Sequence, residues 1–300
     1  MMDLGHCIEQ DVLIGIVTLN RWDKLAKTLQ ECRRLGFTNI LVLDNGSTDK
    51  TRDYLREQEG TLKIFMDKNE GGSGGFNRIM RFFVEQTSCR WLLTFDDDAY
   101  PTFDYRRLAN YLDREKDANR PAYAFRVTYP DGSLCEMNRP GVNCLAKNPL
   151  RYLSRNFHIE ESTKGCLVDF AGFVGLLLRR ETVEAVGVVS KEFFIYSDDT
   201  YYTLSISSKV GKIFYCPDFV LIHDCKRSSR RFRHHDAIRL EKDVVNKIVM
   251  IREYSRFRAA YVGLYLVRSI LTNPARSLNI LRAGYKGVSS NIALYRNESI

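Results

Sequence analysis

The sequence predicts an α/β protein with a doubly wound sheet, followed by a helical C-terminal region. Strand-like runs alternate with helical patterns through the first hundred residues. The strand-like runs are apolar without strict alternation, as in parallel strands that helices cover on both faces. After residue 225 the composition changes to arginine-rich helix formers. These three observations indicate a mixed α/β domain with a helical appendage.

The first predicted elements follow a βαβαβαβ order. The short connections between them fit right-handed crossovers. Ligands of such sheets bind beyond the carboxyl ends of the strands, so the residues just after each strand are the candidates for a site. The predicted elements are Val12–Thr18, Trp22–Leu35, Ile40–Asp44, Thr48–Glu57, Leu62–Met66, Gly74–Gln86 and Trp91–Asp96.

The pattern is weaker between residues 100 and 165. Turn signals at 129–132 and 138–141 indicate a hairpin or an irregular insertion. Further elements then complete the predicted mixed domain. They are the apolar segment Val168–Arg179, helices at Arg180–Val186 and from Ser197 to about Ser208, and strands at Lys212–Tyr215 and Phe219–Ile222.

Composition excludes several classes of protein. With 300 residues, 44% of them apolar and 27% charged, the chain can bury a core, which argues against disorder and collagen-like repeats. No apolar run approaches the roughly 20 residues of a membrane span. The first eleven residues lack the basic and apolar regions of a signal peptide, so we expect a cytoplasmic protein. The eight cysteines form no CxxC pair, and most are expected to be buried small residues.

The positive charge is concentrated at one end of the chain. Residues 226–300 contain 16 Lys/Arg and 5 Asp/Glu, a net charge of +11, so residues 1–225 carry −3 of the total of +8. We therefore predict two regions. Residues 1–225 form the α/β domain, and residues 226–300 form a basic helical region that contacts an acceptor, a membrane or another subunit.

Three consecutive carboxylates, Asp96, Asp97 and Asp98, follow the strand Trp91–Phe95. Unpaired acids this close repel one another, and a divalent cation coordinated by their oxygens removes that repulsion. The alternative is a solvated acidic turn that caps the next helix. The motif thus predicts a metal site or an acidic turn at the ligand-binding edge of the sheet.

A second acidic pair, Asp198 and Asp199, stands at the start of a predicted helix. An N-cap role accounts for one acid, and the other is free to accept a proton from a hydroxyl nucleophile. His223 follows the strand Phe219–Ile222, where a lone histidine is more often structural. Joined to an aspartate cluster, one imidazole completes a shell that suits Mn²⁺ or Mg²⁺ better than zinc.

A glycine-rich segment, residues 69–78, lies between a predicted strand and a predicted helix. Glycine permits close backbone approach, and the helix offers free N–H groups to a sugar or pyrophosphate. The alternative is a flexible loop. Two further strand ends carry polar residues, Thr18 and Asp44. An aspartate there can accept the imide N–H of a pyrimidine base, whereas Ser47 or Thr48 is expected to cap the next helix.

Taken together, these motifs resemble the inverting nucleotide-sugar glycosyltransferases of family 2, which have the GT-A fold. The resemblance covers about residues 11–225 and lies in the order of VTLNR, LVLDNGSTD, NEGGSGGFNR, FDDDA, YSDDTYY and LIHD. NEGGSGGF followed by DDDA is most similar to bacterial galactofuranosyltransferases, which use UDP-galactofuranose. Related rhamnosyltransferases share much of this framework. The sequence departs from the galactofuranosyltransferase pattern at Tyr196 and Ser197, since tryptophan usually precedes the paired acids there.

The resemblance implies roles for the acidic residues and the histidine. Asp96 and Asp98 would bind the ribose, the metal ion (Mn²⁺ or Mg²⁺) and the diphosphate, and His223 would be the third protein ligand. Asp199 would be the general base, and Asp198 would orient the acceptor or the donor sugar.

The resemblance also implies a set of donor-binding residues at the strand ends and in the glycine-rich segment. They are Thr18, Asp44, Asn45 and Arg78 on the uridine side, Asp96 and Asp97 in the acidic motif, and Gly71, Gly72, Gly74 and Gly75 along the donor pocket.

The partners follow from the same resemblance. The implied reaction moves galactofuranose from UDP-galactofuranose onto a hydroxyl of a growing, lipid-linked bacterial surface polysaccharide such as O-antigen. Alternatives are a rhamnosyltransferase, a UDP-hexopyranose transferase, or an inactive module that only binds nucleotide sugars. Both acidic motifs are intact, which favours catalysis over the inactive module.

The basic C-terminal region has its own alternatives. Its densest run, residues 226–235, precedes basic helices of the type that binds anionic membranes, which predicts a peripheral position on the inner face of the cytoplasmic membrane. A solvated face with a contact in a homo-oligomer is the alternative. No nucleic-acid motif accompanies the charge, so we expect no nucleic-acid partner.

Overall fold

A computed structural model describes residues 10–115, 118–142, 159, 164–227 and 237–300. Within this part of the chain, nine strands form one sheet. In chain order they are β1 (Val12–Thr18), β2 (Ile40–Asp44), β3 (Leu62–Phe65), β4 (Trp91–Asp96), β5 (Ala99–Pro101), β6 (Ala122–Thr128), β7 (Cys166–Val168), β8 (Leu176–Arg179) and β9 (Ile213–His223). Their spatial order is β3-β2-β1-β4-β8-β6-β9-β5, and β7 pairs with β9 beside that path.

Helices connect the strands and form the C-terminal region. In chain order they are α1 (Trp22–Arg34), α2 (Thr51–Arg56), α3 (Gly71–Gln86), α4 (Tyr105–Arg114), α5 (Arg180–Val186), α6 (Asp198–Lys209), α7 (Ala237–Tyr254), α8 (Arg258–Thr272) and α9 (Ser277–Ser289).

The N-terminal half of the sheet is parallel, as its apolar runs predict. β1 lies between β2 and β4 and pairs with both in parallel. Every residue of β1 and β2 is buried, because helices cover both faces. β8 pairs antiparallel with β4, so the whole sheet is mixed. The predicted doubly wound, mixed α/β architecture with C-terminal helices is confirmed.

Successive side chains of β1 enter two different cores, one on each face of the sheet. Val12, Ile14 and Ile16 pack in the core that also contains residues of α1 and α4. Leu13 and Val17 pack in the other core, with residues of α3 and α5. This period of two follows from the strand geometry. The sheet is thereby held rigidly between two layers of helices.

A third apolar cluster joins the C-terminal helices to α6. Tyr201 and Leu204 of α6 pack there with buried residues of α7, α8 and α9. Among the described residues, none of the helices combines the length and the hydropathy that a bilayer span needs. Residues 1–9 and 228–235, on which the expected lack of a signal peptide and most of the basic run depend, lie outside the described residues. The boundary at residue 225 between the α/β domain and the basic helical region stays a prediction.

The predicted start of α2 is wrong by three residues, and its predicted caps do not cap it. α2 begins at Thr51, whose N–H donates to Asp49 Oδ1 at 2.9 Å. Ser47 Oγ instead accepts from the backbone N–H of Asn20 at 2.9 Å, and the N–H of Thr48 donates to Asn20 Oδ1 at 2.8 Å. Ser47 and Thr48 are thus held by Asn20 in the turn after β1, which is distant from them in the sequence.

Two other predicted elements differ at their boundaries. The strands predicted at Lys212–Tyr215 and Phe219–Ile222 form one strand, β9, whose register against β6 shifts between Phe125 and Arg126. The irregularity accommodates the residues between the two apolar runs. The apolar segment Val168–Arg179 contains the end of β7 and all of β8.

Candidate active site

The carboxyl ends of β1, β2 and β4 meet at one edge of the sheet. Thr18 is the register partner of Asp44, and Val17 is the register partner of Asp96. Because the strands are parallel, the residues that follow them collect at this edge. The structure therefore brings the predicted residues at the ends of β1, β2 and β4 into one neighbourhood.

β9 adds a histidine to this edge. β5 comes directly after the acidic motif and pairs antiparallel with β9, so that Ala99 lies opposite His223. Ligand atoms of Asp96, Asp98 and His223 all lie within 4.8 Å of one another. Nε2 of His223 lies 3.1 Å from Oδ1 of Asp98. The three residues that the resemblance implies as metal ligands thus converge, although 125 positions separate Asp98 from His223.

The donor set of this cluster fits a hard divalent cation. Burial raises the pKa of Asp96, and its carboxylate accepts no hydrogen bond from the described residues. Burial also acts to raise the pKa of Asp98, but the hydrogen bond and charge of His223 outweigh it and lower that pKa below its ordinary value. Two carboxylates and one imidazole are ligands that Mn²⁺ and Mg²⁺ accept. A cation here would satisfy the Asp96 oxygens and offset the repulsion between the acids.

His223 is oriented from both sides of its ring. Nδ1 lies 2.9 Å from Oδ1 of Asn138, so the tautomer with a proton on Nδ1 donates to Asn138 and leaves the Nε2 lone pair for a cation. Burial acts to lower the pKa of His223, but the hydrogen bond with Asp98 and the charges of Asp96 and Asp98 raise it to about 10. Asn138 was not assigned from the sequence, where only the turn signal at 138–141 marked it.

The middle acid of the motif, Asp97, is turned towards β1. Its Oδ2 accepts from Oγ1 of Thr18 at 2.7 Å, and its Oδ1 lies 3.1 Å from Nη1 of Arg21. The same Arg21 nitrogen lies 2.7 Å from Oδ2 of Asp98. Burial raises the pKa of Asp97 to about 7, although Arg21 and Thr18 oppose that rise.

These contacts decide between the two interpretations of the acidic motif. Asp97 is 3% exposed and Asp98 is 6% exposed, so the solvated acidic turn is excluded. Arg21 places a cation beside the two acids, a role that was not assigned from the sequence. The only signal for it was its position just after β1.

Asp44 and Asn45 are engaged with protein groups at the end of β2. Oδ2 of the fully buried Asp44 accepts from Nε of Arg52 at 2.8 Å, and its Oδ1 accepts from the N–H of Ser47 at 3.0 Å. Nδ2 of Asn45 donates to the carbonyl of Gly71 at 2.8 Å. Asn45 thus holds the start of α3, and the contact of Asp44 with a base stays a prediction.

Arg78 lies on the helix that begins with the glycine-rich segment, one turn after Gly74. It is exposed on α3, about two helical turns beyond Gly71. Among the described residues, it forms no hydrogen bond or ion pair with another predicted site residue. Its contact with uridine stays a prediction.

The glycine-rich segment is not a loop, because α3 begins at Gly71. Gly71 has a φ of +75°, and a Cβ there would lie 1.9 Å from the carbonyl oxygen of Phe194. A Cβ on Gly75 would lie 2.7 Å from Cγ1 of Val17 in β1. These glycines therefore allow α3 to pack closely on the sheet and on the segment before α6. Of the four glycines implied to line the donor pocket, Gly71, Gly74 and Gly75 are buried, and only Gly72 would direct a Cβ into open space.

The second acidic pair lies in the first turn of α6. The N-cap is Ser197, so the prediction that one of the acids caps this helix is wrong. Burial raises the pKa of Asp198, and the charge of Asp199 raises it further. Burial also raises the pKa of Asp199, against hydrogen bonds from Thr200 and the charge of Lys247. A carboxyl group with a raised pKa is better matched to accept a proton near neutral pH.

Asp199 lies beside the residue that orients His223. Its Oδ2 is 3.3 Å from the position that a Cβ on Gly172 would take, and Nδ2 of Asn138 is 3.2 Å from the same point. The two acidic motifs also interact through their charges, since Asp199 raises the pKa of Asp96 and Asp96 raises the pKa of Asp198. The two acidic motifs thus belong to one site.

The segment that leads into α6 is strained. Three of its residues have φ values in the left-handed region, 62°, 69° and 61°, which costs non-glycine residues about 1 to 3 kcal/mol each. Such conformations persist where the surroundings hold them in place. The three residues are Phe194, Tyr196 and Ser197.

Asn246 of α7 holds this strained segment. Its side chain is fully buried, and the two N–H groups of its Nδ2 are shared among three backbone carbonyls at 2.9, 2.8 and 3.0 Å. The C-terminal region therefore fixes the backbone that positions the second acidic pair. This residue was not assigned from the sequence, because a lone asparagine in an amphipathic helix carries no motif. The three carbonyls belong to Phe193, Ile195 and Tyr196.

Comparison with known proteins identifies the family of the chain. Residues 13–184 match the family Glycosyl transferase family 2. A relative in Shigella flexneri, dTDP-rhamnosyl transferase RfbF, is 22% identical over 186 residues. That match covers 61% of this chain and 59% of the relative, so it spans less than two thirds of the Shigella protein.

Solved structures show the same fold at low sequence identity. GalNAc-T7 with UDP, GalNAc and Mn²⁺ aligns with a TM-score of 0.60 at 12% identity, over 95% of this chain and 55% of that one. S. aureus TarS 1-349 aligns with a TM-score of 0.56 at 13% identity, over 94% of this chain and 82% of that one. Since the family match extends over more than half of the sequence, this chain is a glycosyltransferase of family 2, and its fold is GT-A.

Proposed function

We propose that this glycosyltransferase is an inverting, cation-dependent enzyme that transfers a sugar from a pyrimidine nucleotide diphosphate to a hydroxyl group of a glycan. The convergence of Asp96, Asp98 and His223 beside Asp199 carries the proposal. The first three residues offer ligands for a cation that accompanies a diphosphate. A separate carboxylate with a raised pKa is suited to take the proton of the attacking hydroxyl.

The donor sugar has two candidates. The motifs NEGGSGGF and DDDA favour galactofuranose by their resemblance to galactofuranosyltransferases. The similarity to a dTDP-rhamnosyl transferase supports rhamnose instead. UDP and dTDP share the imide edge of the base, so the same strand ends are suited to both nucleotides. Rhamnose is our preferred donor sugar, because the similarity to the named rhamnosyl transferase extends over 186 residues rather than over short motifs.

The reaction requires little of the protein beyond positioning and one base. The acceptor oxygen forms a bond to the anomeric carbon from the face opposite the nucleotide, and the bond from that carbon to the diphosphate oxygen breaks. Asp199 takes the hydroxyl proton as the new bond forms. Asp198 orients the reacting sugar, and Asn246 keeps the backbone of the pair in place. The electron pair of the broken bond leaves with the nucleotide diphosphate.

The charge of the departing diphosphate has two sources of compensation. The guanidinium of Arg21 lies at the acidic motif, within 2.7 Å of Asp98, and is positioned to attract phosphate oxygens. A cation held by Asp96, Asp98 and His223 would supply Lewis acid stabilisation of the leaving group.

The C-terminal helices offer a surface for a membrane that carries a lipid-linked acceptor. On α9, exposed apolar residues recur at positions 278, 281, 285 and 288, which lie on one helical face. α8 exposes Val267 and Leu271 in the same way. Residues 258–289 contain five Lys or Arg and no Asp or Glu. An apolar stripe among basic residues suits the interface of an anionic membrane, so we propose that residues 226–300 hold the enzyme at the inner face of the cytoplasmic membrane.

A panel of sugar donors tests the function. The enzyme is incubated with UDP-galactofuranose, dTDP-rhamnose and UDP-hexopyranoses in the presence of a glycan acceptor, with and without EDTA. We expect nucleotide release that depends on one donor and on the acceptor, that stops with EDTA and that returns with excess Mn²⁺ or Mg²⁺. Nucleotide release that EDTA does not reduce would contradict the proposal, and so would hydrolysis of the donor without a glycan product.

A further inference from the structure

A second cluster of metal-ligating atoms lies on the other side of the His223 ring. Side-chain ligand atoms of Cys135, His223 and Cys225 lie within 4.8 Å of one another. Sγ of Cys135 is 3.8 Å from Nδ1 of His223, the nitrogen that faces away from Asp98. Cys135 and Cys225 are 90 positions apart in the sequence and form no spacing motif, so only the fold brings them together.

The ligand atoms of this cluster are those that a thiophilic cation prefers. In a tetrahedral zinc site, sulfur and nitrogen ligands lie about 3.5 Å apart, and the Cys135 to His223 distance is close to that value. Oδ1 of Asn138 lies 3.1 Å from Sγ of Cys135 and 2.9 Å from Nδ1 of His223. An oxygen is thus next to both of these ligand atoms. Two sulfurs and an imidazole select Zn²⁺ over Mn²⁺ or Mg²⁺.

Burial gives the cluster a closed and an open side. Cys135 is fully buried and His223 is 4% exposed, whereas Cys225 is partly exposed. The backbone N–H of Cys135 donates to the carbonyl of Val127 at 2.9 Å, which fixes one thiol to β6. A cation can therefore enter from the Cys225 side and meet ligands that are already positioned, without the loss of entropy that ordering a loop would cost.

We propose that Cys135, Cys225 and His223 form a binding site for a thiophilic divalent cation such as Zn²⁺, separate from the carboxylate cluster. On binding, each thiol and Nδ1 of His223 release a proton to solvent, and the two sulfurs and Nδ1 each donate a lone pair to the cation. Asn138 or water supplies the fourth ligand. This assignment does not depend on the proposed transfer reaction.

One consequence does rest on the proposed metal centre. A neutral imidazole has only one unprotonated nitrogen, so Nδ1 and Nε2 of His223 cannot both donate lone pairs unless the ring loses its second proton. A cation bound by the cysteines would take the lone pair at Nδ1 and leave a proton on Nε2, which faces Asp98. Zn²⁺ binding is then expected to oppose Mn²⁺ binding at Asp96 and Asp98.

Cadmium binding to the full-length chain tests the site, because Cd²⁺ thiolates have an ultraviolet charge-transfer absorption. The protein is titrated with Cd²⁺ in a phosphine reductant, which keeps the cysteines as thiols. We expect a saturable band at one equivalent, and Zn²⁺ is expected to displace it. In the variants C135S and C225S, the affinity for Cd²⁺ should fall by at least about tenfold, which is the usual effect of removing a group that supports a metal site. C166S, which removes another partly exposed cysteine, is the matched control and should bind as the parent does.

Several outcomes would overturn the proposal. Absence of the band in the parent protein would exclude the site, and so would an undiminished band in C225S, a substitution of a partly exposed residue that is not expected to impair folding. Circular dichroism of each variant checks that the fold is retained. Unchanged Cd²⁺ affinity in saturating Mn²⁺ would overturn the sharing of His223. None of these readouts uses sugar transfer, so they stand apart from the test of the proposed function.

Discussion

Nε2 of His223 lies 3.1 Å from Oδ1 of Asp98. The contact exists because β5 turns back from the acidic motif and pairs with β9, which sets Ala99 opposite His223. The imidazole thus reaches the carboxylates through a backbone ladder rather than through a flexible loop. A site built on paired strands holds its ligands with little freedom, which favours tight coordination.

Asp199→Asn is expected to lower the transfer rate by roughly 10²- to 10⁴-fold, because the amide cannot accept the hydroxyl proton. The substitution keeps the shape of the side chain, so binding of UDP or dTDP should be unchanged. Steady-state kinetics and nucleotide titration by calorimetry measure the two effects. Asp218→Asn, which changes an exposed acid on β9, serves as the control. An active Asp199→Asn enzyme would refute the assignment of the base.

Asp98→Asn and His223→Ala are each expected to weaken Mn²⁺ binding by at least about tenfold, since each removes a proposed ligand. Nucleotide diphosphate binding should lose its dependence on the cation in both variants. Electron paramagnetic resonance of free Mn²⁺ measures the affinity. Asp53→Asn, on an exposed face of α2, should bind as the parent protein does. Parent-like affinity in either site variant would remove that residue from the shell.

Asn246→Leu tests the link between α7 and the second acidic pair. Leucine has a similar volume but removes the side-chain donor that the three carbonyls share, at about 1 to 3 kcal/mol for a lost buried hydrogen bond. The carbonyl of Phe193 keeps the backbone N–H of Ile195. We expect a lower free energy of unfolding and a lower kcat, with a donor KM near that of the parent. Asn279→Leu, at an exposed position of α9, is the control. Lower stability with normal kcat would show that the strained segment keeps its conformation without Asn246.

The cation-free protein is expected to lose stability as the pH rises. Asp97 has a pKa raised by burial to about 7, and that of His223 is raised to about 10 by its hydrogen bond with Asp98, against the effect of burial. At these two groups the folded state therefore holds more protons than the unfolded state, and their contribution to the slope of stability against pH is negative. The contribution of Asp97 to the free energy of unfolding is complete below about pH 4 and is lost as the pH rises through 7. The contribution of His223 is complete below about pH 6.5 and is lost as the pH rises through 10.

Thermal unfolding in EDTA measures this dependence between about pH 5 and pH 9. The midpoint temperature should fall over that range. In Asp97→Asn, the midpoint should change less with pH near pH 7. Added Mn²⁺ should raise the midpoint more at the higher pH, where the acids are ionised. A midpoint that rises with pH in EDTA would contradict the assignment of these shifts.

The apolar stripe on α9 is expected to bind anionic vesicles. The protein should co-sediment at low salt with vesicles that contain phosphatidylglycerol. Less protein should co-sediment at high salt, because salt screens the surface charges. A double substitution, Leu281→Glu with Tyr285→Glu, should abolish binding, and Val210→Glu, at an exposed apolar position just after α6, should not. Absence of binding by the parent protein, together with self-association in light scattering, would favour a homo-oligomer contact instead.

Several parts of the site were predictable from the sequence because their signals are local. Continuous apolar runs predict buried parallel strands, and β1, β2 and β4 have the predicted bounds. The acids at the ends of those strands mark the edge, since the topology of a parallel sheet places all such ends together. The start of α3 was not predictable in this way, because glycines weaken a helical pattern even where packing against Phe194 stabilises the helix.

The sequence by itself determined the α/β class, the order of the motifs and the identity of the acids, since these depend on hydrophobic period and on residues adjacent in the chain. Only the tertiary structure decided which side chains touch. Arg21 beside Asp97, Asn138 beside His223 and Asn246 beneath the strained segment are contacts between residues at least 50 positions apart. Such contacts are created by strand pairing and helix packing, and no local pattern in the sequence encodes them.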